Sequence, residues 1–131
     1  MLCTMMNYYN IWLVDDDNFQ NRVNTKTIQK SLHDKCNIES FNNPVNAMES
    51  LKATESKPDL IFLDMNMPEL NGAAFINKAK SLGLDIPTII LSSSINKEES
   101  KALAKEHTFV KKSLSKPLKI SDLAFLKSTT L

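Results

Sequence analysis

Cysteine is scarce in this 131-residue chain, where Cys3 and Cys36 are the only two. They show no CxxC spacing, and His33, three residues before Cys36, is the only histidine near either. They read as reduced, unpaired thiols rather than as a disulfide or a thiolate metal site, and cytoplasm is the expected compartment. No apolar run approaches the roughly 18 to 20 residues that a membrane span requires. The opening stretch from Met1 to Asn10 lacks the basic start, long apolar middle and small-residue cleavage site of a secretory signal, so residues 1–9 are expected to be a leader. Repeats and low-complexity linkers are missing as well. What remains is one domain's worth of ordinary globular sequence, 42% hydrophobic and 24% charged, with room for a real core but not for a second folded unit.

The formal net charge of +1 conceals an asymmetry. Residues 1–70 are net acidic, whereas Lys97, Lys101, Lys105, Lys111, Lys112, Lys116, Lys119 and Lys127 make the last third basic. Only Phe109 and Phe125 fall among these lysines, too few to interleave them as a single-strand binder would need. A solvated helix face is therefore expected, with neither nucleic acid nor membrane as partner.

Apolar strands alternate with helical patterns along the chain. Asn10 to Val14 is a continuous apolar run ended by Asp15-Asp16-Asp17, and reads as a strand buried on both faces. Phe19, Val23, Ile28 and Leu32 approximate a helical stripe, with Asp17 or Asn18 as N-cap. Asn37 to Phe41 alternates like a weaker strand, and Asn43-Pro44 opens a helix carrying Ala47, Met48 and Leu51. Leu60 to Leu63 is a third strand. After a turn from Pro68 to Gly72, a helix over about Ala73 to Ser81 would bury Phe75, Ile76 and Ala79 and close at Gly83. Pro87 to Leu91 is a fourth strand. Ser92-Ser93-Ser94 and Asn96 supply capping groups for a Lys- and Glu-rich helix over about Lys97 to Glu106, whose apolar face, Ala102 and Leu103, is thin. Phe109-Val110 and Ser113-Leu114-Ser115 make a poor fifth strand ended by Lys116-Pro117, and Ile120, Leu123 and Leu126 a short last helix. Strands and helices at this spacing imply a doubly wound α/β domain with a parallel sheet.

In such a sheet the carboxyl ends of the first, third, fourth and fifth strands share one edge, where open α/β folds place their chemistry. Those ends carry Asp15, Asp16, Asp64, Ser92 and Lys116. Asp64 stands out, because an ionisable group ends the apolar run Leu60-Ile61-Phe62-Leu63. Three crowded carboxylates repel one another unless a cation neutralises them, and an all-oxygen, highly charged set with no His or Cys suits Mg²⁺ rather than zinc. A carboxylate beside Mg²⁺, an ammonium and a hydroxyl is a workable phosphoryl acceptor. Asp64 would be the nucleophile, Lys116 a point charge on one phosphoryl oxygen, and Ser92 a hydrogen-bond donor to another.

These residues resemble the response-regulator receiver domain of two-component signalling, the CheY-like fold. The resemblance is carried by Leu13-Val14-Asp15-Asp16-Asp17, by Pro58 to Pro68 with Gly72, by Ile90-Leu91-Ser92-Ser93, and by Ser115-Lys116-Pro117-Leu118. It implies a flavodoxin-like (βα)5 domain over residues 10–128 with strand order 2-1-3-4-5, followed by a tail at 129–131. It also implies phosphorylation of Asp64 by a histidine kinase or histidine phosphotransfer protein, Mg²⁺ held by Asp15, Asp16, Asp64 and the Asn66 carbonyl, and a cis bond between Lys116 and Pro117. Asn66 and Ser94 would lie beside the attack path and influence hydrolysis of the acyl phosphate. Self-phosphorylation and autodephosphorylation would be the only reactions, and without an output domain the signal would pass to an effector protein by binding. One residue departs from the pattern. Three positions before Lys116, where similar domains carry Tyr or Phe that turns inward on activation, this chain has Ser113. That leaves room for a degenerate receiver that binds a partner without being phosphorylated. An aspartyl phosphatase would want a second acid two residues after Asp64, where Asn66 stands, and an acidic pocket would repel a flavin phosphate.

Overall fold

The computed structural model describes residues 9–33, 35–93 and 95–128. Cys3, Ser94, most of the expected leader and the expected tail lie outside the described residues. The order is β1 (Tyr9–Val14), α1 (Asn18–Leu32), β2 (Cys36–Phe41), α2 (Pro44–Ala53), β3 (Leu60–Asp64), α3 (Gly72–Ser81), β4 (Thr88–Ser92), α4 (Lys97–Glu106), β5 (Val110–Ser115), a 3-10 turn (Ile120–Leu123) and α5 (Ala124–Ser128). The five strands form one sheet in the order β2-β1-β3-β4-β5, and every neighbouring pair is parallel. This is the doubly wound fold that the sequence pattern and the resemblance imply.

The sheet is covered on both sides because its central strands are apolar on both sides. On one face Trp12, Val14, Ile61, Leu63 and Ile90 meet Ala47, Met48 and Leu51 of α2, Phe75, Ile76 and Ala79 of α3, and Leu103 of α4. On the other, Ile11, Leu13, Phe62, Ile89 and Leu91 meet Ile28 and Leu32 of α1 and Leu123 and Leu126 near the C-terminus. Helix starts follow local chemistry. Asp17 accepts from the Phe19 and Gln20 N–H groups, Asn43 from Val45 and Asn46 ahead of Pro44, and Asn71 from Ala74.

The apolar stripe of α1 differs from the expected one. Phe19 and Val23 are exposed, at 60% and 38%, and the buried positions are Asn21, Asn24, Ile28, Ser31 and Leu32. Rotation of the helix about its axis is set by Asn21, whose amide is needed at the strand ends, so a polar residue takes a core-facing place. Helix α4 departs similarly, with Ser100 buried and Ala102 exposed. The Ser100 hydroxyl is satisfied by the Asn96 carbonyl at 2.9 Å, which makes its burial inexpensive. Ile120 is also exposed, at 46%, while Leu123 and Leu126 pack as expected. Lys111 and Lys112 lie within β5, where the register with β4 slips between Thr88 and Ile89. The strand runs through the two lysines because β5 is an edge and both side chains are exposed.

The rotated stripe has a direct check in denaturant unfolding. Phe62→Ala is expected to cost about 3 to 5 kcal/mol, as for a fully buried aromatic, and Phe19→Ala no more than about 0.5 kcal/mol. Comparable losses would mean that Phe19 packs after all.

Candidate functional site

The carboxyl edge of the sheet is built by backbone contacts that hold its loops in place. The Asp15 N–H donates to the Phe41 carbonyl at 3.1 Å, and the buried Asn21 amide donates to the carbonyls of Asp15 and Phe41 at 2.9 and 3.4 Å. Helix α1 is thereby fastened to the ends of β1 and β2. Below Asp64, the Met65 N–H donates to the Leu91 carbonyl at 3.1 Å and the Gly72 N–H to the Met65 carbonyl at 2.9 Å. A side chain at Gly72 would be crowded: its Cβ would lie 3.0 Å from Met65 Cα and 3.1 Å from the Asp64 carbonyl oxygen, so glycine lets α3 begin against the backbone that follows Asp64 without displacing it by a few tenths of an ångström. The Lys116 N–H donates to the Ser92 carbonyl at 2.9 Å, and the Lys116–Pro117 bond is cis.

These contacts converge on an open cavity of about 250 Å³. Asp15, Asp16 and Asp64 each bring a carboxylate oxygen within 4.8 Å of the others. Asp15 and Asp64 are buried, at 3% exposure each, while Asp16 is open to solvent. Lys116 reaches in from the end of β5. Its ammonium lies 2.5 Å from Asp64 Oδ1 and 3.7 Å from Asp15 Oδ2.

Burial pushes the Asp15 carboxyl up from its ordinary 3.8 to about 6; the Asp17 N–H pulls it down, and Asp64 pushes it further up. For Lys116, burial works to lower the ammonium pKa, but the hydrogen bond to Asp64 and the charges of Asp64, Asp15 and Asp16 outweigh it and hold the group above its ordinary value. Lys116 is thus a fixed positive charge. It faces three carboxylates, so a net negative charge remains for a further cation to meet.

The residues present fit a hard divalent cation. The cavity walls include Asp15, Asp16, Asp64 and Asn66, and no His or Cys. Asp15 Oδ1 accepts from the Asp17 N–H at 2.9 Å, whereas Oδ2 is buried without a hydrogen-bond partner. A buried carboxylate oxygen that accepts no hydrogen bond among the described residues, with the Lys116 ammonium at 3.7 Å and two other carboxylates beside it, is a ready ligand for Mg²⁺.

Sequence reasoning placed Asp15, Asp16, Asp64 and Lys116 at this edge, and the structure brings them together with Asn66. Ser92 differs. It is buried at the end of β4, and the cavity wall on that side is Ser93 and Asn96. Gln20 and Asp17 also line the cavity and were not singled out as site residues. Gln20 sits in the first turn of α1, directly after the acidic triplet, and that placement beside the strand end was the available signal.

A family model for the response regulator receiver domain matches residues 11–125. The chain belongs to the response regulator receiver domain family. The receiver is 38% identical over 82 residues to a protein-glutamate methylesterase/protein-glutamine glutaminase of Clostridium acetobutylicum, covering 62% of this chain and 23% of that protein. It also resembles two solved structures. A two component response regulator from Cytophaga hutchinsonii is 28% identical with a TM-score of 0.76, covering 94% of this chain and 97% of that one. The phosphorylated cyanobacterial phytochrome response regulator RcpA is 29% identical with a TM-score of 0.68, covering 92% and 90%. This receiver therefore spans less than a quarter of the methylesterase, as it does of a putative two-component response regulator from Arabidopsis thaliana, of which it covers 14%. No helix among the described residues is long and apolar enough to cross a membrane.

The raised Asp15 pKa gives cation binding a pH dependence of definite sign. In the metal-free receiver the folded state holds this proton more tightly than the unfolded chain does. The group's contribution to stability therefore falls as pH rises from about 4 to about 6. A cation binds the deprotonated form and must displace the proton at low pH. Mg²⁺ is expected to raise the thermal midpoint clearly at about pH 7.5 and much less at about pH 5. Equal shifts at both pH values in calorimetry would contradict the assignment.

Proposed function

We propose that this receiver takes a phosphoryl group from the phosphohistidine of a histidine kinase or histidine phosphotransfer protein onto Asp64, and passes the signal on by binding an effector protein. The observation that carries this is the Asp64 carboxylate, buried at a strand end with the Lys116 ammonium 2.5 Å away and two further carboxylates at its side. The likeness to a phosphorylated phytochrome response regulator supports the same chemistry. Cytoplasm is the compartment in which these partners would meet it.

An Asp64 carboxylate oxygen attacks phosphorus as the bond to the imidazole nitrogen breaks, and the electron pair leaves on the imidazole. Charge is the main obstacle, since an anionic nucleophile meets an anionic phosphoryl group. Lys116 is already in place and can turn from the Asp64 carboxylate to a phosphoryl oxygen as negative charge moves there. Ser93 stands at the cavity wall as a donor, with Ser92 buried behind it at the strand end. Mg²⁺, held by Asp15, Asp16, Asp64 and the Asn66 carbonyl, would neutralise phosphoryl charge. Asn66 would also border the path of a hydrolytic water, so self-phosphorylation from small donors and autodephosphorylation would be the receiver's own reactions.

A second reading is favoured by Ser113, half-buried on β5 where similar domains carry a ring. A serine cannot fill or vacate a ring-sized pocket, so the receiver could serve as a phosphorylation-independent binding module. The two readings separate on labelling. Acetyl phosphate with Mg²⁺, or a phosphorylated histidine phosphotransfer protein, is expected to label the wild type at one residue, with loss of label on EDTA addition beforehand and in Asp64→Asn. Absence of label from every donor, with a partner bound equally well with and without phosphodonor, would favour the binding module.

A further inference from the structure

We propose that Asn96 is a positioning residue of the phosphoryl site: its side-chain oxygen occupies the donors of Ser93 that a phosphoryl group on Asp64 would use, and releases them when that group arrives. This rests on Asp64 being the phosphoacceptor. Ser93 directly follows β4 and lines the acidic cavity together with Asn96. Its N–H donates to Asn96 Oδ1 at 3.0 Å, and its hydroxyl donates to the same oxygen at 3.4 Å. One neutral amide oxygen therefore holds both donors that Ser93 offers. A phosphoryl oxygen is charged and is the stronger acceptor, so the exchange favours the anion once it is present. Until then the amide oxygen competes with it.

The same oxygen is missing from the place where it would ordinarily serve. Asn96 is the N-cap residue of α4 but makes no side-chain capping bond, whereas Asp17, Asn43 and Asn71 cap the first three helices with theirs. Asparagine is among the best N-caps, yet this one is turned back onto Ser93. Its carbonyl is anchored, because it accepts from the Ser100 N–H at 3.1 Å and from the Ser100 hydroxyl at 2.9 Å. The side chain and the ψ angle both have to turn, because at φ -112° and ψ 25° Asn96 lies outside the extended region in which Asp17, Asn43 and Asn71 cap. Once released from Ser93, Oδ1 can accept from an N–H in the first turn of α4. Arrival of the phosphoryl group is then exchanged for a capping bond on α4, a route out of the site that needs no ring at position 113.

The test uses the full chain with Mg²⁺ and beryllofluoride, a non-covalent phosphoryl mimic, followed by backbone amide NMR. Asn96→Ala frees the Ser93 donors in advance and is expected to bind beryllofluoride about three- to tenfold more tightly, the worth of one net hydrogen bond. Its Mg²⁺ affinity without beryllofluoride should match the wild type, which a general loosening of the site would not allow. Asn96→Asp, which keeps the acceptor and adds charge, should bind beryllofluoride more weakly. On saturation, the Glu98 and Glu99 amides should shift in the wild type and not in Asn96→Ala. Equal or weaker binding by Asn96→Ala, or the same Glu98 and Glu99 response in both proteins, would overturn the proposal. If the wild type takes up no beryllofluoride in the presence of Mg²⁺, the phosphoacceptor role of Asp64 falls, and this proposal with it.

Discussion

Like charges held at one edge of the sheet are the constraint on which the rest of this structure depends. Asp15, Asp16 and Asp64 crowd within 4.8 Å, and two of the three are buried. Left alone, such a cluster would push its strands apart or protonate, and the Asp15 carboxyl is raised first by its burial and further by the charges of Asp64 and Asp16. Lys116 offsets part of the repulsion, which is why β5 has to end beside β4 with its lysine directed across the sheet. The remaining negative charge leaves a site whose residues fit a hard cation.

Much of the scaffold exists to hold that arrangement. Asn21 occupies a core position of α1 in place of an apolar residue because its amide ties the Asp15 and Phe41 carbonyls together. Gly72 lets α3 start against the backbone of Asp64 and Met65, which a Cβ would have to push back by a few tenths of an ångström. The two apolar clusters lie on opposite faces of the sheet and reach its carboxyl edge through Met65 and Met67 on one side and Leu91 and Leu118 on the other.

The strands and the charged centre were legible in the sequence because each depends on a short local pattern, whereas the strand order came from the resemblance to receiver domains. Apolar runs ending in Asp15 and Asp64 mark buried strands, and Lys116-Pro117 marks the end of the fifth. The orientation of α1 was not legible, since apolar periodicity counts Phe19 and Val23 and has no means of seeing that Asn21 is drawn inward by two carbonyls from other strands. The inward turn of Ser100 was hidden for a similar reason, as its hydroxyl is satisfied within its own helix. Ser93 and Asn96 looked like capping residues, which Asn96 is by position. That its side chain faces Ser93 instead depends on tertiary placement of the β4–α4 connection. Family membership follows from the pattern over residues 11–125.

The central claim is that the carboxylate at the end of β3 is the reactive group, and chemical mapping of the phosphorylated residue tests it most directly. After incubation with acetyl phosphate and Mg²⁺, borohydride reduction converts an acyl phosphate to an alcohol that peptide mass spectrometry can locate. A single reduced residue at Asp64 is the expected result. Phosphate that survives at Ser92 or Ser93, or reduction at Asp15 or Asp16 in place of Asp64, would contradict the account.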